Sequence, residues 1–311
     1  MNAPRSALHK ALIELHVAIL LAGITGPLGR LISLPAEALV WYRLGLSLPL
    51  FIAISLWYLR PVPRFTRQQW TLLVINGLLI GFHWVCFFSS VKYANVSVAL
   101  VCFATSSLFT ALLDPWVNGN GLRWRQVALS LLGLAGIVVL FQFNVQYRLG
   151  IVLGLLAAVL SALFTLLNEK PAQQIPARTL SMYELLFAWL ILSLFAPWYI
   201  HLHGIYWPGA MDWLYLLILS WLCTVLAFTL SLSALKHISP FTINLSYNLE
   251  PVYGILIAFA LFHENRMLNI SFYAGFACIL LSVLLQTLYT LHQHRQALGK
   301  PANQKFITPT D

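Results

Sequence analysis

The chain has 311 residues, of which 60% are hydrophobic and only 9% charged, and its formal net charge is +9. No soluble domain of this size could hide so much apolar surface, so composition excludes a soluble globular fold. The positive surplus does not point to nucleic acid either, because the basic residues stand singly or in twos and threes between apolar segments instead of sharing one face or one run.

Ten segments approach the ~20 apolar residues that a membrane-crossing helix needs. They cover about 12–29, 37–59, 70–91, 94–113, 125–142, 148–168, 181–200, 212–235, 240–262 and 270–290. The first follows Arg5 and Lys10 as the core of a signal peptide would, but it runs on to Arg30 with no small-residue cleavage pattern and is read as retained. Span 2 carries Arg43 about six residues in, ~9 Å deep at 1.5 Å per residue. Span 3 carries Asn76 and His83, seven residues apart and so on one helical face, with Trp84 beside the histidine. Span 4 holds Thr105, Ser106 and Ser107. Gly77-x-x-x-Gly81 and Gly150-x-x-x-Gly154, in spans 3 and 6, allow close helix approach and carry no information about a ligand. Glu184 lies a few residues into span 7, and Lys236 closes span 8.

Span 9 is the richest in polar groups. Pro240, Asn244, Tyr247, Asn248 and Pro251 follow at helical spacing, with Glu250 and Tyr253 flanking their face. Glu250 stands about ten residues, or ~15 Å, from the start of the span, close to the bilayer midplane. The connections between spans are short and leave no room for a soluble domain. The four cysteines, Cys86, Cys102, Cys223 and Cys278, lie inside spans without paired short spacing and read as small core residues, not as disulfide or zinc ligands.

A charged side chain near the bilayer centre costs about 2.5–3.5 kcal/mol on insertion scales. Arg43, Glu184 and Glu250 are therefore either structural ion pairs or groups that face a wet cavity. Depth permits Arg43 to pair with Glu250 and makes Lys236 the nearest cation for Glu184. The polar stripe of span 9 suits a cavity for a polar small molecule; its packing alternative is interhelical hydrogen bonding. The expected substrate-binding set is Arg43, His83, Trp84, Asn244, Tyr247, Asn248, Glu250 and Tyr253. Glu250, His83 and Glu184 are the coupling candidates, histidine because its ordinary titration lies near neutrality. No catalytic group, metal or cofactor is expected.

Two stretches 141 positions apart read alike: Leu34-Pro35-Ala36, Leu39 and Tyr42-Arg43-Leu44 against Ile175-Pro176-Ala177, Leu180 and Tyr183-Glu184-Leu185. Five spans per copy is an odd number, so the second copy would enter the bilayer from the opposite side, as in many transporters. The expected architecture is all-α, with ten transmembrane helices as two inverted five-helix repeats: residues 1–145, residues 146–291 and a cytoplasmic tail at 292–311. A cytoplasmic N-terminus places thirteen Lys and Arg residues inside and only Arg30, Lys92, Arg148 and Arg266 outside, and both termini then come out cytoplasmic.

The ten spans in two repeats, Lys236 closing span 8, and Asn248-Leu249-Glu250-Pro251-Val252 followed by Gly254 and Glu264 resemble the EamA-like branch of the drug/metabolite transporter superfamily. That resemblance covers about 12–290 and implies a bacterial inner-membrane carrier for small metabolites, often amino acids or related compounds and often exporting, with a central cavity lined by both repeats. Ser106-Ser107 stands in the first repeat where Glu250-Pro251 stands in the second, a departure from symmetry. No Walker A pattern is present, so ATP does not drive transport directly. The alternatives are a nucleotide-sugar carrier of the same superfamily, which calls for several buried cations where only Arg43 lies well inside a span, and an intramembrane enzyme, for which H-E-x-x-H or a carboxylate pair is lacking. The expected partners are a small metabolite and the lipid bilayer, without nucleic acid. A homodimer, the substrate, the direction of transport and the coupling ion stay open at this point.

Overall fold

The computed structural model describes residues 5–57, 64–94, 96–140 and 148–262, with single positions between 274 and 292. Every regular element among the described residues is helical. They are α1 (Arg5–Leu31), α2 (Ala36–Trp57), α3 (Arg67–Tyr93), α4 (Val96–Ala104), α5 (Ser106–Asn118), α6 (Trp124–Leu140), α7 (Arg148–Gln174), α8 (Ala177–His203), α9 (Ala210–Ser220), α10 (Ala227–Ala234), α11 (Pro240–Ser246) and α12 (Glu250–Phe262). Seven helical stretches among the described residues are long and apolar enough to cross a membrane. The expected span at about 270–290 falls largely outside the described residues.

Helix ends follow local chemistry. Thr66 accepts from the backbone N–H of Gln69 at 3.3 Å while the Gln69 side chain accepts from the Thr66 N–H at 2.9 Å, a reciprocal cap that starts α3. Pro35 and Pro176, the matched positions of the two similar stretches, each stand immediately before a helix, α2 and α8. Three expected spans are not continuous α-helices. The span at about 94–113 breaks at Thr105, whose hydroxyl donates to the Cys102 carbonyl at 2.6 Å instead of leaving the turn undisturbed. The span at about 212–235 contains a π-turn, Trp221–Leu226, and the span at about 240–262 contains a 3₁₀ turn, Tyr247–Leu249.

Contacts between helix ends fix their directions. At one end of the bundle, Ser33 donates from both its N–H and its hydroxyl to Asp212, at 2.9 and 2.5 Å, and the Lys92 ammonium reaches the Ile32 carbonyl at 2.6 Å. The Ser90 hydroxyl donates to the Gly150 carbonyl at 2.7 Å, which brings the start of α7 to this Ser33 end. At the other end, Gln69 meets Gln174 at 3.5 Å and Asn118 donates to Glu169 at 3.1 Å. α1 thus finishes at the Ser33 end, whereas α7 begins there.

α3 is the central strut, packed along α7 and α8. Small residues make this possible. A Cβ at Gly77 would stand 2.6 Å from Phe187 Cβ and 2.9 Å from both the Ala188 N and the Glu184 O, and one at Gly150 would stand 2.5 Å from Ala94 Cβ. Both glycine motifs are therefore backbone contact points between helices. Outward faces are apolar, as lipid contact requires: Leu194 is 79% exposed and Val152 61%. The Gly77→Val variant, which drives branched carbons into the α8 backbone, is expected to lower the thermal unfolding midpoint in detergent by the equivalent of about 1–3 kcal/mol, while Gly121→Ala, in open space, leaves it unchanged.

Candidate functional site

Both halves of the chain converge on one interior cavity of about 100 Å³. The first half contributes Thr25 of α1, Arg43 of α2, His83 and Trp84 of α3, and Phe103 of α4; the second contributes Ser161 and Thr165 of α7, Cys223 of the π-turn, Phe228 and Ser231 of α10, Asn244 of α11, Tyr247 and Glu250. At about 30 Å³ per water, that volume admits a few waters or one small metabolite.

Arg43 is held from several sides. Its Nε donates to Thr224 Oγ1 at 2.6 Å, its Nη2 donates to the Cys223 carbonyl at 3.2 Å, and its guanidinium carbon lies 4.0 Å from the Trp84 ring centroid. The π-turn makes this geometry available. Thr224 donates its own proton to the carbonyl of Leu219, five residues back, at 2.7 Å, which leaves the hydroxyl lone pairs for Arg43. The Trp84 face supplies a cation–π contact in place of water. Nη1 keeps no partner among the described residues.

Glu250 opens α12 directly after the 3₁₀ turn and lines the same cavity. It forms no ion pair with Arg43 within 4 Å, although the two act on each other electrostatically. The Arg43–Glu250 pairing that depth permits is thus not formed: Arg43 is drawn to the π-turn, where Thr224 Oγ1 and the Cys223 carbonyl accept from it. Asn244 sits between hydroxyls, donating to Thr110 Oγ1 at 2.7 Å and accepting from Thr165 Oγ1 at 3.3 Å. His83 Nδ1 donates to the Ala157 carbonyl at 2.8 Å, which fixes the ring against α7.

Of the eight residues expected from sequence, six line the cavity: Arg43, His83, Trp84, Asn244, Tyr247 and Glu250. Asn248 and Tyr253 do not. The 3₁₀ turn winds tighter than an α-helix and rotates Asn248 out of the Asn244 face, so its amide packs over Gly133 of α6; Tyr253 packs against Gly23 of α1. Glu184 is also absent from the lining, and its partner is not Lys236: Asn76 Nδ2 donates to its Oε1 at 2.9 Å. Lys236 ends its helix elsewhere, whereas α3 and α8 touch along the glycine seam, which brings Asn76 to the carboxyl. Ser106 and Ser107 are buried outside the cavity.

Sequence reasoning missed Ser161, Thr165, Thr224 and Ser231. Hydroxyls satisfy themselves on their own helix, as Thr165 does on the Ser161 carbonyl at 2.9 Å, and so give no hydropathy signal. A second cavity, about 400 Å³, lies between α2, α3 and α8 near the Ser33 end. Half of its lining residues are aromatic, among them Trp41, Phe82, Phe195, Trp198 and Trp207, and its polar groups include Glu37 and the hydroxyls of Tyr42, Tyr199 and Tyr206.

The model of the EamA-like transporter family matches residues 9–142 and again 148–288. The chain belongs to the EamA-like transporter family. An uncharacterized transporter of Synechocystis sp. is 24% identical over 285 residues, covering 86% of this chain and 80% of that protein. A solved structure titled only as the crystal structure of a protein superposes with a TM-score of 0.73 at 21% identity, covering 94% of this chain and 99% of that one, and so shares the fold. This EamA-like transporter therefore carries Arg43, the one buried arginine among the described residues, in a cavity that both matched segments build. Thr224→Val keeps the side-chain shape but removes the Nε acceptor; it is expected to destabilise the protein by about 1.5–3 kcal/mol, read as an earlier unfolding midpoint in detergent, with Thr229→Val as the comparison.

Proposed function

We propose that the protein is a secondary transporter that moves a small zwitterionic metabolite, an amino acid or related compound, by alternating access around the central cavity, in the export direction. One observation carries this reading. A cation and a carboxyl, Arg43 and Glu250, line the same small cavity without being in salt-bridge contact with each other. A zwitterion offers the complement of both: its carboxylate meets the Nη1 donor of Arg43, and its ammonium meets Glu250 and the carbonyl oxygen of Asn244. Trp84, Phe103, Phe164 and Phe228 form the apolar wall for its side chain. A diphosphate would place two or more negative charges against a single lining arginine, which disfavours a nucleotide sugar.

Ten crossings in two inverted five-span repeats, 1–145 and 146–291, fit this mechanism, and the opposite senses of α1 and α7 support the inversion. The bacterial inner membrane is the proposed location, with the Thr66 end and both termini in the cytoplasm. Arg64, Arg67, Arg123, Lys170 and Arg178 gather toward that end, against Arg30, Lys92 and Arg148 at the other. The family places the protein among transporters, and among the described residues no cluster of His, Cys, Asp or Glu favours the intramembrane-enzyme reading.

The test is exchange of a labelled amino-acid mixture into liposomes preloaded with the same mixture unlabelled. Glu250→Gln and Asn244→Ala are each expected to slow the exchange of at least one component ~10-fold or more, about 1.4 kcal/mol of lost stabilisation. Full exchange in both variants would remove the central cavity from the transport path.

A further inference from the structure

Beneath the central cavity, toward the Thr66 end, three buried side chains from three helices come together. Glu184 of α8, Asn76 of α3 and Asn168 of α7 are each 0% exposed. Asn168 is three residues along α7 from Thr165, and Asn76 four residues along α3 from Ile80, and both Thr165 and Ile80 line the cavity. The cluster thus lies one helical turn below the cavity floor.

The hydrogen bonding of this cluster is incomplete in a specific way. Asn76 Nδ2 donates to Glu184 Oε1 at 2.9 Å. Glu184 Oε2, Asn76 Oδ1 and both polar atoms of Asn168 have no partner among the described residues, although the Asn168 amide also acts on the Glu184 carboxyl. Buried polar atoms of native proteins are almost always satisfied, and an orphan in hydrocarbon costs more than one in a wet core. Three of the four orphans are acceptor oxygens and only one is a donor, so the cluster is short of hydrogen-bond protons. The four side-chain oxygens of the cluster fall short of the six to eight that a hard divalent cation collects. One proton on Oε2 would turn an orphan acceptor into a donor for the neighbouring Asn168 Oδ1, satisfying two of them at once.

We propose that Glu184, with Asn76 and Asn168, is a proton-binding site that couples proton movement to closure of the α3–α8 seam. The step is a reversible protonation: the carboxylate takes one proton from water in the central cavity to give the acid, with no electron transfer, and releases it as the carboxylate. Its effect is mechanical. α3 and α8 come from different repeats and pack backbone to backbone at Gly77, one residue from Asn76, where the Glu184 carbonyl itself forms part of the contact. The protonated cluster locks this seam across α3, α7 and α8; the deprotonated one leaves a buried negative charge faced only by two neutral amides and opens it.

Charged groups on the surrounding helices do not reach the cluster. Arg43 of α2 is bound to the π-turn, His83 of α3 is bound to α7 above the cavity floor, and Glu169 of α7 accepts from Asn118 while Lys170 points out at the Thr66 end. Only Asn76 and Asn168 act on the Glu184 carboxyl, and α10 brings no charged side chain to it.

This inference rests on the transporter reading for its coupling role, but its test does not need the substrate. Infrared difference spectra of the full-length protein in nanodiscs, recorded between acid and alkaline buffer, are expected to show a protonated-carboxyl carbonyl band. That band should vanish in Glu184→Gln, shift in Asn168→Leu, and persist in Glu250→Gln. A band that survives Glu184→Gln unchanged, or that none of the three variants alters, would overturn the proposal. In liposomes carrying a pH dye, Glu184→Gln should retain amino-acid exchange but lose gradient-driven accumulation; accumulation equal to that of the unsubstituted protein would count equally against it. If the unsubstituted protein exchanges no amino acid, the cavity reading fails while the infrared result still decides the proton site.

Discussion

A guanidinium cannot be left to hydrocarbon, and much of the interior is arranged around that fact. Arg43 is 2% exposed in a helix that the surrounding lipid cannot solvate, so protein must replace its hydration shell. Along a regular α-helix each carbonyl already accepts from an N–H four residues on, so few acceptors point sideways toward a neighbouring helix. The π-turn at Trp221–Leu226 relaxes that pairing, frees the Cys223 carbonyl toward Arg43, and turns Thr224 so that its hydroxyl accepts from Nε while donating to Leu219. Trp84 closes the remaining face. The bond runs between the two segments that match the family model, so holding the charge also holds the halves together across the cavity.

A second tie repeats the pattern with different chemistry. Position 43 of α2 corresponds to position 184 of α8, and each side chain bonds to a helix of the other half: Arg43 to the turn after α9, and Glu184 to Asn76 of α3. One tie lies toward the Ser33 end and the other toward the Thr66 end, with the cavity between them. The seams differ in character. α3 and α8 meet through glycine backbone contacts, whereas α2 meets the π-turn through the side chains of Arg43 and Trp221. The two interfaces thus lie on either side of one cavity, the placement that the proposed alternating access would use.

The sequence announced these features unevenly. Hydropathy marked the spans because lipid leaves little latitude in length or polarity, and the paired Pro-Ala helix starts at 35–36 and 176–177 marked the duplication. Arg43, His83, Trp84 and Glu250 stood out because such residues are rare in apolar runs. Their partners did not stand out. Whether Arg43 meets Glu250 or Thr224 depends on a π-turn that no spacing rule signals, and Asn248 left the expected face through a single 3₁₀ turn. Asn168 carried a signal that was available, an amide at the edge of an apolar run, but it lay at the predicted end of its span and was not singled out. Hydroxyls such as Ser161 were silent because serine and threonine bond their own helix at little cost.

The claim beneath all of this is that water, not lipid, occupies the space between the halves. In a background with the four native cysteines replaced, Ser161→Cys on the cavity side of α7 is predicted to react rapidly with a charged, water-soluble thiol reagent, while Val152→Cys on the lipid side of the same helix stays unmodified. Reaction at position 152 with none at position 161 would contradict a wet interior and leave Arg43 and Glu250 as packing groups.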